Sequence, residues 1–180
     1  SSGLYENLLE KGQVLPYRQV SDIKVDLTED VYKIILPEQL GHISYPYEWC
    51  FSQLKDAALL TLDIQETSLQ YGMSLKDSSA YNIQFHHGHA VMIDTLSFEK
   101  YEQGLPWVAY RQFCQHFLAP LLLTSYVDIQ SLKLSRLFID GIPLDYTVNQ
   151  LPISAIIRPS IFMHIYLHVK AQNKNADNIK

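Results

Sequence analysis

Asp77, Asn82 five positions on and Asp94 have the residue types and spacing for chemistry on a phosphate. Lys76-Asp77-Ser78-Ser79-Ala80-Tyr81-Asn82-Ile83-Gln84-Phe85 is followed, after a polar turn, by Ala90-Val91-Met92-Ile93-Asp94. A loop and a hairpin could therefore aim one carboxylate, one carboxamide and a second carboxylate at a single point. Phosphoryl transfer needs charge neutralisation and positioning more than covalent chemistry, and hard oxygen donors suit Mg²⁺. On this reading Asp77 accepts a proton from an acceptor hydroxyl, and Asn82 and Asp94 hold Mg²⁺ on the phosphates of ATP.

The elements that must position these groups follow from periodicity. From 52 to 71, Leu54, Ala57, Ala58, Thr61, Leu62, Gln65 and Leu69 recur at spacings of three and four with no internal Gly or Pro, which predicts a long amphipathic helix. Gly72 ends it, so the helix runs directly into the Asp77 loop. Ile83-Gln84-Phe85 and Ala90-Val91-Met92-Ile93 flank His86-His87-Gly88-His89 and predict a hairpin with Gly88 in the turn. Residues 94–99 leave it as a loop.

Upstream, apolar positions 4, 5, 8 and 9 between Ser2 and Gly12 predict a short helix, and 14–20 and 31–36 predict strands split by an acidic turn at 26–30. The aromatic stretch 43–49 is extended around Pro46 and marks a crossover between two substructures. Downstream, 107–126 is expected as a helix interrupted near Pro120, 129–139 as another, 141–145 as a turn, 152–159 as a proline-bounded connection and 160–171 as a last apolar helix. The tail 172–180 is polar and reads as frayed or as a linker.

Other chemistry-bearing groups fit less well. His86, His87 and His89 crowd one turn without a fourth ligand nearby, as solvent-facing histidines do, rather than in a zinc site. No Gly-x-Ser-x-Gly elbow accompanies Ser74, Ser78 or Ser97. Tyr45, Tyr47, Trp49 and Phe51 suit either interdomain core or stacking on a nucleotide base. His164 and His168 lie four apart on an apolar helix, as packed side chains do.

Leu75-Lys76-Asp77-Ser78-Ser79-Ala80-Tyr81-Asn82 resembles the catalytic loop of protein kinases and aminoglycoside phosphotransferases, and Ile93-Asp94-Thr95-Leu96 stands where their second metal-binding Asp is found. Leu75 replaces the usual His, and Thr95-Leu96 replaces Phe-Gly. Over nearly the whole chain, Tyr45-Pro46-Tyr47-Glu48-Trp49, the stretch 54–62, Ile93-Asp94-Thr95-Leu96-Ser97-Phe98-Glu99 and the stretch 106–113 resemble a bacterial family described as nodulation-protein-like or class I S-adenosylmethionine-dependent methyltransferases.

These resemblances imply an α+β, kinase-like fold. Residues 1–48 would be a truncated N-lobe of helix, strands and hinge, 49–171 a mainly helical C-lobe, and 172–180 a linker to a downstream domain. They imply Tyr47, Glu48 and Trp49 as a nucleotide-binding hinge, a small-molecule or glycan-type acceptor, and an adjoining methyltransferase domain that alone binds S-adenosylmethionine. No Gly-x-Gly-x-x-Gly and no Val-Ala-Ile-Lys-like strand occurs within these residues, so the nucleotide-covering loop and its lysine are lacking. Glu6 or Glu10 would then be the partner of a lysine supplied from outside the chain. The alternative is a non-catalytic, pseudokinase-like scaffold that binds a substrate or partner for the adjoining domain.

Composition agrees with one well-filled globular unit: 180 residues, 47% hydrophobic. A net charge of -5 with scattered basic residues disfavours nucleic acid as a partner. Cys50 and Cys114 cannot form a disulfide framework, which suggests a reducing cytoplasm. No apolar run reaches the roughly 20 residues of a membrane span. With no initiating methionine, the chain reads as a piece of something longer.

Overall fold

The computed structural model describes residues 2–20, 31 and 33–171. The acidic turn expected at 26–30 and the polar tail at 172–180 lie outside them. Helix α1, Leu4–Glu10, starts after Gly3 and ends at Gly12, whose φ of 66° no β-carbon favours. There the amides of Gly12 and Gln13 turn back to the carbonyls of Leu9 and Leu8, closing the C-terminus. Strands β1 (Tyr17–Gln19) and β2 (Ile35–Pro37) pair antiparallel, β1 inside the predicted 14–20 and β2 overlapping only the end of the predicted 31–36.

The aromatic crossover closes into a 3₁₀ turn, Pro46–Glu48, rather than staying extended. Pro46 at its first position has no amide to satisfy, and the Glu48 carboxylate accepts the Tyr45 amide at 2.7 Å. Helix α2, Phe51–Gln70, is the longest element, and Gln53 Oε1 accepts the Cys50 amide at its start. Its buried face is Leu54, Ala57, Ala58, Thr61, Ile64, Gln65 and Ser68. Leu62 and Leu69, expected on that stripe, are exposed instead. Ile64 fills the core in their place, and the buried Thr61 and Ser68 hydroxyls are satisfied within the helix by donating to the carbonyls of Ala57 and Ile64.

Three two-stranded antiparallel ladders complete the sheet structure. The expected hairpin is β4 (Ile83–His86) with β5 (His89–Met92). Both residues of its turn have positive φ, His87 at 50° and Gly88 at 82°, as a two-residue turn matching strand twist demands. Periodicity did not reveal the third ladder, β3 (Met73–Leu75) with β6 (Phe98–Lys100), because three-residue strands are too short to alternate visibly. The N-terminal segment also reaches this region: the amides of Leu15 and Met92 bond to the carbonyls of Met92 and Gln13 beside β5.

The helical half follows from 110. Helix α3 (Tyr110–Phe113), a π turn (Cys114–Leu118) and α4 (Ala119–Tyr126) follow one another without a break, so the interruption expected near Pro120 takes the form of a π turn. Pro120 lacks an amide and its ring crowds the carbonyl four residues back. The wider turn, in which the Ala119 amide reaches the Cys114 carbonyl, absorbs the misfit before the proline. A 3₁₀ turn, Ile129–Lys133, leads into α5 (Leu134–Leu137). Helix α6 (Leu144–Gln150) went unforeseen, and α7 (Ile153–Ile156) occupies the expected connection. The last helix begins with α8 (Pro159–Ile161) and passes through a second π turn, Phe162–Tyr166. One hydrophobic cluster runs from Leu4 and Leu8 through α2 and Phe117 to Ile165. Among the described residues no helix is long and apolar enough to cross a membrane.

Candidate functional site

The Asp77 loop is held from below by α2 and from the side by α3. Gln65, buried on α2, accepts the Leu75 amide at 2.8 Å and donates to Ser74 Oγ at 3.1 Å, which fixes the end of β3. Trp107 Nε1 donates to the Leu75 carbonyl at 2.8 Å. Gln112 Oε1 accepts the Ser78 amide at 2.7 Å, and Ser78 Oγ donates to the Ala109 carbonyl at 2.8 Å. These bonds fix the direction in which Asp77 leaves β3. Its Oδ1 accepts the Ser79 amide at 2.9 Å.

Pairing of β3 with β6 brings the far end of the constellation to the same edge. Leu75 lies opposite Phe98, and the Lys76 amide bonds to the Ser97 carbonyl at 2.8 Å, one residue before Asp77. Buried Ser97 then joins the other two groups: Asn82 Nδ2 donates to Ser97 Oγ at 3.0 Å, and Ser97 Oγ donates to Asp94 Oδ2 at 2.7 Å. Asp94 Oδ1 accepts the Leu96 amide at 2.8 Å, so this carboxylate also caps the turn into β6. Ser97 was not singled out in the sequence as a member of this set. Its signal was its place three residues after Asp94, the spacing at which a hydroxyl folds back onto a carboxylate.

The three residues therefore meet around one edge but face two openings. Asp77 and Asn82 line a cleft of about 670 Å³ with Tyr45, Tyr47, Tyr81 and His116. Asp94 lines a groove of about 680 Å³ formed by α1, β1 and the 93–98 loop, with Tyr17 and Lys33 on its wall. Among the described residues Asp77 makes no hydrogen bond to Asn82 or Asp94, and no group of three or more His, Cys, Asp or Glu side chains could hold a metal ion. Asn82 and Asp94 carry hard oxygen atoms of the kind Mg²⁺ takes, but they line different openings and both Asp94 oxygens already accept hydrogen bonds.

The expected hinge residues separate. Tyr47 lines the Asp77 cleft and stacks on Tyr45 with ring centres 5.4 Å apart. Glu48 is committed to its own turn, and Trp49 is core, 3% exposed, edge-on to Phe85 and bonded through Nε1 to Ser44 Oγ. Of the turn histidines, His86 lies 3.6 Å from the Glu38 carboxylate. His164 and His168 pack against Tyr110, as their spacing suggested.

His116, which sequence reading passed over, is the buried titratable group of the Asp77 cleft. It sits in the π turn, edge-on to the Tyr81 ring and 9% exposed. Burial lowers its pKa, and the charges of Asp77 and Asp140 oppose that shift without reversing it. Burial raises the Tyr81 phenol, with Tyr47, Asp140 and Tyr45 adding to the effect. At neutral pH both side chains are uncharged.

The fold and site define an α+β module whose polar residues gather where a short ladder and a hairpin meet, between an aromatic turn and a helix carrying a π turn. The chain is 34% identical over 174 residues to nodulation protein NoeA of Rhizobium meliloti (strain 1021), which supports a nodulation-protein-like family. The match takes in 96% of this chain and 37% of NoeA, so the chain spans little more than a third of that protein's length. No family model and no solved structure matches.

Proposed function

We propose that this chain is a kinase-like module in which Asn82 and Asp94 bind Mg²⁺ with a nucleotide and Asp77 faces the acceptor. The observation that carries this reading is the Asn82–Ser97–Asp94 hydrogen-bond chain, held beside Asp77 by the β3–β6 ladder. Ser97 orients both side chains at once, as a supporting residue does when it pre-organises a metal site. Mg²⁺, when bound, neutralises charge on the nucleotide phosphates. Asn82 and Asp94 supply its oxygen donors. Asp77, its Oδ1 fixed by the Ser79 amide, keeps Oδ2 to accept a proton from an acceptor hydroxyl in the cleft.

Titration calorimetry of Mg-ATP into the full-length protein tests this. A saturable heat lost in Asp94→Ala is expected, and equal heats in wild type and variant would sink the reading.

A second reading, a binding scaffold without transfer, is favoured by one observation. Glu48 and Trp49, two of the three residues expected to contact the nucleotide base, are used to build the turn and the core. Such a module would hold a ligand at the Asp77 cleft for the remainder of a longer protein, an adjoining methyltransferase domain in the reading from sequence. In that case Mg-ATP gives no heat, whereas a cleft ligand still binds.

A further inference from the structure

The last helix has an outer face that neither the fold nor the site uses. Over 159–171 its inward side is Ile161 and Ile165, both buried in the core, and its flank is His164 and His168, which pack against Tyr110. The remaining side carries Phe162, Met163 and Leu167, all exposed, and a partly buried Tyr166, whose ring stacks on Phe162 at 5.2 Å. Met163 is 58% exposed, and Ile157, two residues before the helix, 70%. A surface helix turns charged and polar residues outward, and one that is apolar all round belongs to an interior. Single exposed apolar residues are normal, whereas a contiguous face of them marks an interface.

Charge decides what kind of surface fits. No Lys, Arg, Asp or Glu lies between Arg158 and Lys170, and no Asp or Glu between Asp145 and Asp177. Arg158 lies over the Tyr126 ring at 5.3 Å and Lys170 over the Tyr166 ring at 5.2 Å, and among the described residues neither cation has a carboxylate partner. Two copies of this helix laid face to face would bring cations together with no carboxylate to balance them. An apolar surface with carboxylates at its edge suits both the rings and the charge. Length points to its source: the match to NoeA takes in 96% of this chain but 37% of NoeA, so in a protein of that length most of the polypeptide lies outside these residues. An apolar contact between two units of one polypeptide also fixes their arrangement, where a polar one leaves them free to move.

We propose that this face seats a second folded unit of the same polypeptide, through an apolar surface whose edge carries a carboxylate for Lys170. None of Phe162, Met163, Tyr166 and Leu167 lines the Asp77 cleft or the Asp94 groove, so the surface is separate from both. The inference names an interface rather than a reaction, and it rests on neither the metal nor the nucleotide reading above.

The test uses the protein's own methionines. Brief oxidation with hydrogen peroxide, read residue by residue by mass spectrometry, is applied to the full-length protein and to the 180-residue chain, which carries its own core. In the chain alone Met163 should react fastest of the three methionines and the buried Met92 slowest. In the full-length protein Met163 should slow by about tenfold at every protein concentration, with Met92 unchanged. Leu167→Lys in the full-length protein should return Met163 to within about twofold of its rate in the chain alone. Lys170→Glu, an exposed change that serves if the first variant fails to fold, should raise the Met163 rate by about threefold. Equal Met163 rates in the two proteins, protection that disappears on dilution, or full protection kept in a folded variant would overturn the proposal. Protection of Met163 already present in the 180-residue chain, with a dimeric mass by light scattering, would overturn it in favour of a second copy.

Discussion

At the scale of single residues, two groups carry measurable consequences. His116 is neutral in the fold because burial outweighs the pull of Asp77 and Asp140. Its folded pKa lies below the unfolded value of about 6.5, so the unfolded chain binds more protons as pH falls. This contribution to stability is present above about pH 6.5 and is lost as pH drops from there through the lower folded value. His168, also lowered mainly by burial, acts in the same direction. Melting temperatures from pH 7.5 to 5 should fall less steeply in His116→Gln than in wild type, and identical slopes would refute the assignment. Asp94 differs because both its oxygens already accept bonds, from the Leu96 amide and the Ser97 hydroxyl. Asp94→Ala should cost about 1 kcal/mol without ligand, and Asp94→Asn less, since an Asn carbonyl still caps the turn. If Mg-ATP raises the melting temperature of wild type and of neither variant, the site has a binding role beyond the cap. A shift confined to Asp94→Ala and indifferent to ligand would make it a turn residue only.

At the scale of elements, one helix-to-strand link decides where the site begins. Gln65 connects the middle of α2 to the end of β3 through the Leu75 amide and Ser74, in a fully enclosed setting. Gln65→Leu keeps the volume but orphans the buried Leu75 N–H, a change worth about 1–3 kcal/mol. Denaturant unfolding should register that loss, and amide exchange should show Leu75 and Lys76 opening sooner than the β4–β5 hairpin. Exchange rates that rise uniformly would mean that the link has no local role. The close approach at Gly141 is the second such link. Gly141→Ala meets both a positive φ and backbone at van der Waals distance or closer, so it should destabilise by more than the roughly 1 kcal/mol of an ordinary glycine-to-alanine change in strained backbone.

At the scale of the whole molecule, the described chain has a core that α1, α2 and the last helix share, and Asn82 and Asp94, joined through Ser97, line different openings. The 180 residues contain no glycine-rich phosphate loop and no cofactor loop for S-adenosylmethionine. By themselves they should transfer neither phosphoryl nor methyl groups at a measurable rate. ATP hydrolysis by this chain that vanished in Asp77→Ala would contradict that expectation. The exposed Cys50 and enclosed Cys114 supply an independent check on the packing: burial pushes the Cys114 thiol up to about 11, so brief alkylation at pH 7.5 should label one cysteine in the native protein and two after denaturation.

Sequence alone was enough for α1, α2 and the β4–β5 hairpin, because each carries its own period and its own end signals: Gly12, Gly72 and the His87-Gly88 turn. Asp77, Asn82 and Asp94 were singled out from sequence as well, because their spacing is local. The β3–β6 ladder came only with tertiary structure, since three-residue strands 25 positions apart leave no periodic trace and are defined by each other. The same holds for Ser97 as the link between Asn82 and Asp94, and for Trp49, whose aromatic stretch suits a ligand wall and a core equally until packing chooses. His116 was hidden for a related reason. A histidine in an apolar helix looks like core filling, and only the π turn before Pro120 and the side-chain-free approach of Gly141 bring Asp140 and the Asp77 loop around it. Local patterns record what a segment does with its neighbours in sequence, whereas the cleft is made by four segments that meet only once the core has closed.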